Sequence, residues 1–331
     1  MAWLPIQQQI NLPHPVYFER QMQVFYSDHF VLPLPPEHRF PMQKYRLLRQ
    51  KVSTIPGIVL SEATGATDSQ LLLAHDPAYL QSLIRGTLDP RAQREIGFPW
   101  SEAMVERSRR SVGATIAASR VALQEGVAVN LAGGTHHAYR DHGSGFCVFN
   151  DVAVAARSLQ RELGRRSMRI AIIDLDVHQG DGTASIFAND PTVYTLSVHG
   201  ERNFPFRKQT SRLDIALPDG TQDTTYLEAL RHGLQTLENQ WEPEFIFFLA
   251  GADPHKQDRL GRMNLTDRGM KLRDAQVFEF AKKHQLPIAI TMAGGYGLDI
   301  NTTVAMHLQT VQAAATYWND YLEHPAHPPG V

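Results

Sequence analysis

The amino-acid sequence predicts an α/β protein: an open, mostly parallel β-sheet with helices on both faces, in three α/β/α layers. Short apolar runs alternate along the chain with longer amphipathic stretches, which is the pattern of strands joined by crossover helices. Several runs are almost continuous in Val, Ile, Leu and Phe, without polar residues at alternate positions. Strands of that kind are buried on both faces, as in the interior of a parallel sheet.

The individual elements follow from where these patterns change. A short first run, GIVL, is followed by VAVNL, RIAIIDL, VYTLSV, FIFFLA and PIAITM, all of which read as strands. Strands are therefore predicted at 57–60, 127–131, 169–175, 193–198, 245–250 and 287–292. Between and after them, apolar residues recur at helical spacing. This spacing predicts helices at 101–125, 151–163, 224–239, 266–284 and 301–318.

The chain reads as a single domain, residues 1–331, because no internal repeat and no low-complexity linker divides it. The first 45 residues are rich in proline and irregular in pattern. We expect this segment, 1–45, to wrap the rim of the sheet. The last residues, 322–331, are expected to fray.

Composition narrows the class of protein. The 331 residues are 43% hydrophobic and 20% charged, with a formal charge of −2 and no block of like charges, so nothing indicates direct nucleic-acid binding. A single cysteine, Cys147, rules out internal disulfides and fits a reducing compartment. Neither a signal peptide nor an apolar stretch of membrane-spanning length is evident. We expect a cytoplasmic enzyme that does not bind membranes.

Chemically reactive residues follow four of the predicted strands. The segments are AGGTHHAYRDHGSGFC, DLDVHQGDGT, GADPHKQDRLG and AGGYG. In open α/β sheets, ligands bind outside the carboxyl ends of the strands. Four Gly-rich loops with His, Asp or Tyr at one edge of a sheet indicate an active site.

A metal site is the first prediction from these loops. Asp174, Asp176 and His178 are spaced so that their side chains share one face of an extended segment. An additional ligand is expected from Asp253, at the end of another strand. Asp176, His178 and Asp253 would leave an open position for water and substrate, as in catalytic zinc sites. Such a donor set also accepts Fe²⁺.

The adjacent histidines His136 and His137 are predicted to assist the metal. In a Gly-rich loop they can act as a general base and an electrostatic partner, each oriented by a carboxylate. The carboxylates available are Asp174 and Asp181. Tyr296, between glycines, can donate a hydrogen bond to a developing oxyanion, although a tyrosine packed in a turn would give the same pattern.

In this order, HHAYRDHGSGFCVFND, IIDLDVHQGDGT, GADPHKQDRLG and AGGYG resemble the signature segments of histone deacetylases, acetoin-utilisation proteins and acetylpolyamine amidohydrolases. The resemblance covers residues 39–296, and two segments are most similar to class IV, the histone deacetylase 11-like branch, and its bacterial relatives. It implies the arginase/deacetylase fold. It also implies a zinc-dependent amidohydrolase that removes acetyl or longer acyl groups from the ε-amine of lysine in proteins or peptides.

The same resemblance implies roles for individual residues. It implies that Asp176, His178 and Asp253 bind zinc. His137, paired with Asp181, matches the general base, and His136, paired with Asp174, matches the second histidine. Tyr296 matches the tyrosine that stabilises the oxyanion. The resemblance also assigns a structural potassium ion to Asp174 and Ser197, together with the backbone of Asp176, His178 and Val198.

An acyl-lysine tunnel is implied as well. Phe146 and Phe204 are similar to its aromatic walls, with Gly145 beside them, and Phe206 is an alternative to Phe204 because the spacing after Ser197 differs. Leu260 resembles a residue at the tunnel rim. Arg39 resembles an arginine that lines a cavity beneath the zinc, through which acetate leaves.

Two departures from the family pattern concern substrate binding. No acid lies between Gly97 and Ser101, where many members carry an aspartate that grips the substrate backbone. Asp89 or Glu95 could replace it. Leu260 stands where a polyamine-specific enzyme would carry a glutamate, and this disfavours a polycationic substrate.

Three other functions compete with lysine deacylation. An acetylpolyamine or other small-molecule amide deacetylase is the main enzymatic alternative. An arginase ranks low because the acids for a second metal are missing. A protein that only binds acyl-lysine ranks last, because it would require loss of at least one of the catalytic or metal-binding residues, and all are present.

Overall fold

A computed structural model describes residues 20–28, 32, 34–35 and 37–323. Within this part of the chain, eight strands form one sheet in the order β2-β1-β3-β8-β7-β4-β5-β6. Every strand pair is parallel. The strands are β1 Met22–Tyr26, β2 Ile58–Glu62, β3 Val127–Asn130, β4 Ile170–Asp174, β5 Val193–Gly200, β6 Leu213–Leu217, β7 Phe245–Leu249 and β8 Ile288–Thr291.

Ten helices connect and flank these strands in the described residues. They are α1 Gln43–Val52, α2 Asp68–Leu71, α3 Pro77–Arg85, α4 Pro90–Ile96, α5 Glu102–Glu125, α6 Asp151–Glu162, α7 Asp181–Phe187, α8 Asp223–Gln240, α9 Asp267–Lys283 and α10 Ile300–Glu323. No helix of the described chain combines the length and apolarity that crossing a bilayer requires.

Two hydrophobic clusters, one on each face of the sheet, confirm the three-layer prediction. Along β7, Ile246 and Phe248 belong to one cluster, while Phe245, Phe247 and Leu249 belong to the other. This alternation follows from the two-residue period of a strand. The first cluster is completed by α1, α8, α9 and α10, and the second by α2 to α7. Because both faces of the central strands are covered, their sequences are mostly apolar.

The ends of the long helices follow ordinary capping chemistry. The side chain of Ser101 accepts a hydrogen bond from the amide of Met104 at the start of α5, and Asn150 accepts one from Ala153 at α6. Thr266 does the same for Gly269 at α9. Each cap satisfies an amide that has no partner within its helix.

The expectation that residues 1–45 form an irregular segment at the rim is wrong for 22–26. These residues form β1, which pairs with both β2 and β3 and therefore lies inside the sheet. Met22 and Val24 are fully buried, but five residues after a proline-rich stretch give too short a pattern to indicate a strand. The edge strand β6 was also not predicted. In the expected tail, α10 continues to Glu323, and 324–331 lie outside the described residues.

Candidate active site

The four chemistry-bearing loops come from four adjacent strands. In the sheet, β3, β8, β7 and β4 are consecutive neighbours, and all four run in the same direction. Their carboxyl ends therefore open on one edge, where the His136–His137, Asp176–His178, Asp253 and Tyr296 segments meet. The residues that the sequence distributes over the chain form one buried cluster.

Asp176, His178 and Asp253 form a cluster with the chemistry of a metal site. Their ligand atoms all lie within 4.8 Å of one another, and all three residues are buried. Nδ1 of His178 lies 2.9 Å from Oδ1 of Asp176 and 3.2 Å from Oδ2 of Asp253. That aspartate oxygen is buried without a hydrogen-bond partner, because the 3.2 Å approach to His178 lacks hydrogen-bond geometry.

The remaining carboxylate oxygens of this cluster are held by the backbone. The amide of Gly294 donates to Oδ2 of Asp176 at 2.7 Å, and the amide of Val177 donates to Oδ1 of Asp253 at 2.9 Å. A Cβ on Gly294 would lie 2.0 Å from Asp253 and 2.6 Å from Asp176, so only glycine fits there. The backbone thus aims one oxygen of each carboxylate at the point that His178 faces.

The charges in the cluster call for a cation. Burial would lower the pKa of His178, but the hydrogen bond to Asp176 and the negative charges of Asp176 and Asp253 raise it to about 10. Burial and the negative charge of Asp176 raise the pKa of Asp253 to about 7. A protonated imidazole offsets only part of the negative charge of the two buried carboxylates, and such an excess of negative charge suits a divalent cation.

Two histidine–aspartate pairs lie beside the cluster. Nδ1 of His136 donates to Oδ2 of Asp174 at 2.6 Å, and Nδ1 of His137 donates to Oδ1 of Asp181 at 2.6 Å. The hydroxyl of Tyr139 donates to the second oxygen of Asp181 at 2.9 Å. Each pair fixes a tautomer that leaves Nε2 of the histidine directed away from its carboxylate.

The two histidines differ in charge. Burial opposes protonation of His136, but the carboxylates of Asp174 and Asp176 raise its pKa to about 9. Burial and the neighbouring His136 cation lower the pKa of His137 to about 4, despite the attraction of Asp181. His137 is therefore neutral at physiological pH and able to accept a proton.

Tyr296 lies opposite the histidines. Its amide donates to Oδ2 of Asp258 at 2.6 Å, and its carbonyl accepts from Nε of Arg259 at 2.9 Å. Its ring is 6.4 Å from the ring of His178. Burial raises the pKa of the phenol well above its usual value, so the hydroxyl stays protonated and can donate a hydrogen bond.

A cavity of about 600 Å³ leads from the surface to these residues. Gly145, Phe146, Phe204 and Leu260 line it, together with His137, His178 and Tyr296. Phe146 has a φ of 66°, an unusual conformation for a bulky residue that is typical of functional sites. A Cβ on Gly145 would lie 2.6 Å from the His137 ring, so glycine permits the close approach.

The structure distinguishes the two phenylalanines proposed for the second wall. The ring of Phe204 lies 4.9 Å from the ring of His137 in an edge contact. Phe206 lines only the outer part, with 85% of its surface exposed. Of the two rings, that of Phe204 therefore lies against the histidine pair, and that of Phe206 faces solvent.

Of the two acids that could replace the missing rim aspartate, Asp89 and Glu95, one lines the cavity. Asp89 accepts hydrogen bonds from the amides of Arg91 and Ala92 as the N-cap of α4 and does not line the cavity. Glu95 does line it, and its carboxylate lies 3.0 Å from Nε of Arg91.

Asp174 and Ser197, predicted to hold potassium, are register partners on β4 and β5. Oγ of Ser197 lies 3.0 Å from Nδ1 of His199.

Comparison with known proteins identifies the family. The histone deacetylase domain model matches residues 37–311. The chain belongs to the histone deacetylase family. It is 44% identical over 295 residues to an uncharacterized protein of Picosynechococcus, covering 88% of this chain and 97% of that protein. It is 31% identical to histone deacetylase 2 of Arabidopsis thaliana over 71% of this chain, but only 62% of the plant protein.

Solved structures agree with this assignment. A histone deacetylase homologue crystallised with SAHA has a TM-score of 0.76 and 28% identity, covering 89% of this chain and 84% of that one. The fold is the arginase/deacetylase fold. Membership of the family supports a deacetylase. The class IV assignment stays a prediction, because none of these relatives distinguishes it.

The prediction that Arg39 lines a cavity beneath the metal is wrong. Arg39 is exposed at the mouth of the tunnel rather than beneath the metal cluster. The chain turns inward one residue later, where buried Phe40 packs 5.3 Å from Phe146 and 6.2 Å from Tyr296, measured between ring centres. A guanidinium without a buried partner stays in water, whereas the aromatic ring enters the core.

Two other cations lie in the interior and were missed by sequence reasoning. An inner cavity of about 40 Å³, lined by Asp176, His178 and Tyr296 among others, is bordered by Arg107 of α5. Buried Lys44 of α1 donates to the carbonyls of Ala293 and Gly295, at 3.2 and 3.4 Å. Neither residue belongs to a recognisable motif. The contacts arise only when the helices pack, so no sequence signal could have identified them.

Proposed function

We propose that this protein is a zinc-dependent amidohydrolase that removes acyl groups from the ε-amine of lysine. The observation that carries the proposal is the convergence of Asp176 and Asp253 on His178, which lines an aromatic-walled cavity beside a neutral His137. A long, thin acylated side chain fits such a cavity. The same edge holds a hydrogen-bond donor, Tyr296, for the carbonyl oxygen.

The metal would be held by Asp176, His178 and Asp253. The partnerless buried oxygen of Asp253 and the glycine that leaves room at Gly294 support this assignment. Three ligands of this type suit Zn²⁺ with an open position, and they accept Fe²⁺ as well. When bound, the metal supplies a Lewis acid for the amide carbonyl and for the attacking water.

The residues around the metal would divide the proton chemistry. His137, kept neutral by burial and oriented by Asp181, accepts a proton from the water through Nε2. The phenol of Tyr296 donates a hydrogen bond to the oxygen that becomes negative as the water adds to the carbonyl. A histidine of the pair His136–His137 then donates a proton to the amine as it leaves. Asp174 holds His136 in position throughout.

The walls and the second ion site complete the proposal. Phe146 and Phe204 would flank the linear part of the acyl-lysine, with Gly145 giving the space between them and Leu260 closing the rim. Asp174 and Ser197, with the backbone of Asp176, His178 and Val198, would hold a structural K⁺ that stabilises the strand ends beneath the active site.

The test is hydrolysis of fluorogenic acyl-lysine peptides, from acetyl to myristoyl, with N-acetylputrescine measured in parallel. We expect release of acyl groups that a chelator abolishes and that added Zn²⁺ or Fe²⁺ restores. Tyr296→Phe should lower kcat/KM on the order of 10²–10⁴-fold, with the same metal content by mass spectrometry.

Two results would contradict the proposal. Turnover of N-acetylputrescine alone would assign the site to small acylated amines. No turnover of any substrate by a protein that contains one metal ion per chain would favour a protein that binds acyl-lysine without cleaving it.

A further inference from the structure

The mouth of the tunnel carries an unusual set of charges. Four arginines line the cavity where it opens to solvent: Arg39, Arg202, Arg259 and Arg262. Among the residues that line this cavity, the only carboxylate is Glu95. The whole chain has a formal charge of −2, so this concentration of positive charge is a local feature that the overall balance hides.

Little of this charge is neutralised within the described part of the protein. Arg262 pairs with Asp219 at 3.2 Å, and Glu95 is engaged by Arg91 at 3.0 Å. Arg259 donates from Nε to the carbonyl of Tyr296 and from Nη2 to the carbonyl of Arg39. Those acceptors are neutral, and Arg259 forms no ion pair with a residue that the structure describes.

Arg39 and Arg202 are the most accessible of the four. Both are exposed, and neither forms an ion pair with any residue that the structure describes. The segment after β5 that carries Arg202 also carries Arg207 and Lys208. Nζ of Lys208 donates to the carbonyls of Asn203 and Pro205, at 2.6 Å each. These bonds hold the Lys208 ammonium near Asn203, which lines the cavity, although the carboxylates of Asp181, Asp214 and Glu201 also act on this ammonium.

We propose that the tunnel mouth selects acylated amines that carry a carboxylate next to the group entering the tunnel. The inference rests on the proposed deacylase function and specifies its substrate class. Guanidinium groups bind carboxylates through paired, charge-assisted hydrogen bonds. A cationic peptide, such as a lysine-rich tail, meets three arginines that form no ion pair within the described residues, and it is repelled. The carboxylate comes either from acidic residues that flank an acyl-lysine or from the carboxyl group of a small acylated amino acid.

The experiment compares acetyl-lysine peptides that differ only in their flanks, with Asp, Gln or Lys on both sides of the modified residue. We expect kcat/KM to be about tenfold or more higher for the Asp peptide than for the Lys peptide at low salt. High salt should reduce this ratio, because it screens exposed charges. Nε-acetyl-lysine with a free or an amidated α-carboxyl group tests the small-molecule source in the same assay.

Charge-removing variants locate the effect. Arg39→Gln and Arg202→Gln should each lower the Asp-to-Lys ratio several-fold. Arg161→Gln is the matched control. Arg161 is exposed near the carboxyl end of α6, just before β4 begins and thus near the opposite edge of the sheet. Its loss changes the net charge equally but should leave the ratio unchanged.

The outcomes separate this inference from the proposed function. Equal kcat/KM for the three peptides, or a preference for Lys flanks, overturns the inference and leaves the deacylase intact. Absence of turnover for every peptide contradicts the proposed function. In that case, fluorescence anisotropy of labelled acetyl-lysine peptides still tests the mouth: tighter binding of the acidic peptide supports the charge preference, and equal binding refutes it.

Discussion

The difference between the two active-site histidines comes from their surroundings rather than from their sequence. Both are buried and both donate through Nδ1 to an aspartate at 2.6 Å. His136 has Asp174 and Asp176 nearby and is raised in pKa to about 9. His137 lies next to the positive charge of His136, which together with burial lowers its pKa to about 4. A pair of histidines with opposite shifts suits one base and one electrostatic partner.

The orientation of His137 by Asp181 leads to the first residue-scale prediction. Asp181→Asn replaces the carboxylate that accepts a hydrogen bond from Nδ1 of His137. The new amide can present either its oxygen, as an acceptor, or its nitrogen, as a donor, to that atom. We expect kcat/KM for the acyl-lysine substrate to fall ten- to a hundredfold, as for other groups that orient a catalytic histidine. Metal content should not change, because Asp181 is not part of the metal cluster.

Tyr139→Phe is the control for this experiment. It removes only the 2.9 Å bond to the other oxygen of Asp181 and leaves the contact with His137. The lost bond does not contact His137, so we expect kcat/KM to fall by less than about fivefold, or ~1 kcal/mol in activation free energy. If Asp181→Asn instead loses metal in proportion to its activity, Asp181 supports the metal cluster and does not act through His137.

At the scale of the secondary-structure elements, the sequence was most informative where burial is complete. Six strands of the sheet and five long helices were predicted. Five of these strands lie inside the sheet and are mostly apolar, and long helices repeat their pattern over several turns. The sixth, β2, lies at an edge and is only partly buried, but its first three residues, IVL, are all apolar. β1 and β6 were missed for a physical reason. β6 lies at the edge, where four of its five residues are only partly buried or exposed, so its pattern is weak. β1 is interior but spans only five residues.

Helix α5 gives the element-scale prediction, because two opposing effects can be compared there. Gly113 lies inside this helix, where alanine is ordinarily more stable than glycine by ~1 kcal/mol. A Cβ at this position, however, would lie 1.8 Å from the carbonyl oxygen of Thr64. Backbone cannot move aside as a side chain can. We expect Gly113→Ala to lower the free energy of unfolding by about 1–3 kcal/mol, measured by urea denaturation at constant metal loading.

Gly233→Ala in α8 is the matched substitution. Gly233 is also a buried helical glycine, but its Cβ would meet the terminal methyl of Ile215 at 2.8 Å and those of Leu196 beyond 3.2 Å. Those side-chain ends can rotate, so the cost should be distinctly smaller than for Gly113. Equal losses of stability in the two variants would show that the contact with Thr64 does not limit the packing of α5.

For the whole molecule, the order of strands in the sheet determines which residues meet. The sequence indicates that the reactive loops follow strands, and the rules for open α/β sheets predict that these loops lie at one edge. No local sequence pattern, however, indicates that β8 lies between β3 and β7. The same limit applies to helix contacts. Buried Lys44 of α1 and partly buried Arg107 of α5 lie near the candidate metal cluster. Arg39, which the family resemblance predicts inside, lies at the mouth of the cavity.

Histidine burial makes the stability of the whole protein depend on pH. His75, after α2, is almost fully buried. Its Nδ1 donates to the carbonyl of Tyr139 at 3.0 Å, and its Nε2 accepts from the amide of Asn150 at 3.0 Å. It thus connects the outer helices to the loop that carries His136 and His137. Burial lowers the pKa of His75 to about 4, so the folded protein holds this ring neutral.

The sign of the effect follows from proton uptake. Between pH 6.5 and pH 4 the unfolded chain binds a proton at His75 and the folded chain does not. The free energy of unfolding therefore falls as pH falls, by ~2 kcal/mol at pH 5 from this residue alone. His75→Gln keeps one donor and one acceptor but does not titrate. Between pH 7 and pH 5, we expect the unfolding free energy of this variant to decrease by ~2 kcal/mol less than that of wild type. Urea denaturation at the two pH values measures both decreases.

Comparing how the unfolding free energy of wild type and of His75→Gln changes with pH removes the contributions of the other titrating groups. The metal cluster and the remaining histidines are common to both proteins, so their titration cancels, and any constant loss of packing in the variant does not alter its slope. His232→Gln, at an exposed position of α8, should follow the wild-type curve. If His75→Gln loses as much stability on acidification as wild type, then His75 takes up its proton without unfolding, and the acid sensitivity of the fold must originate in the histidines of the active site.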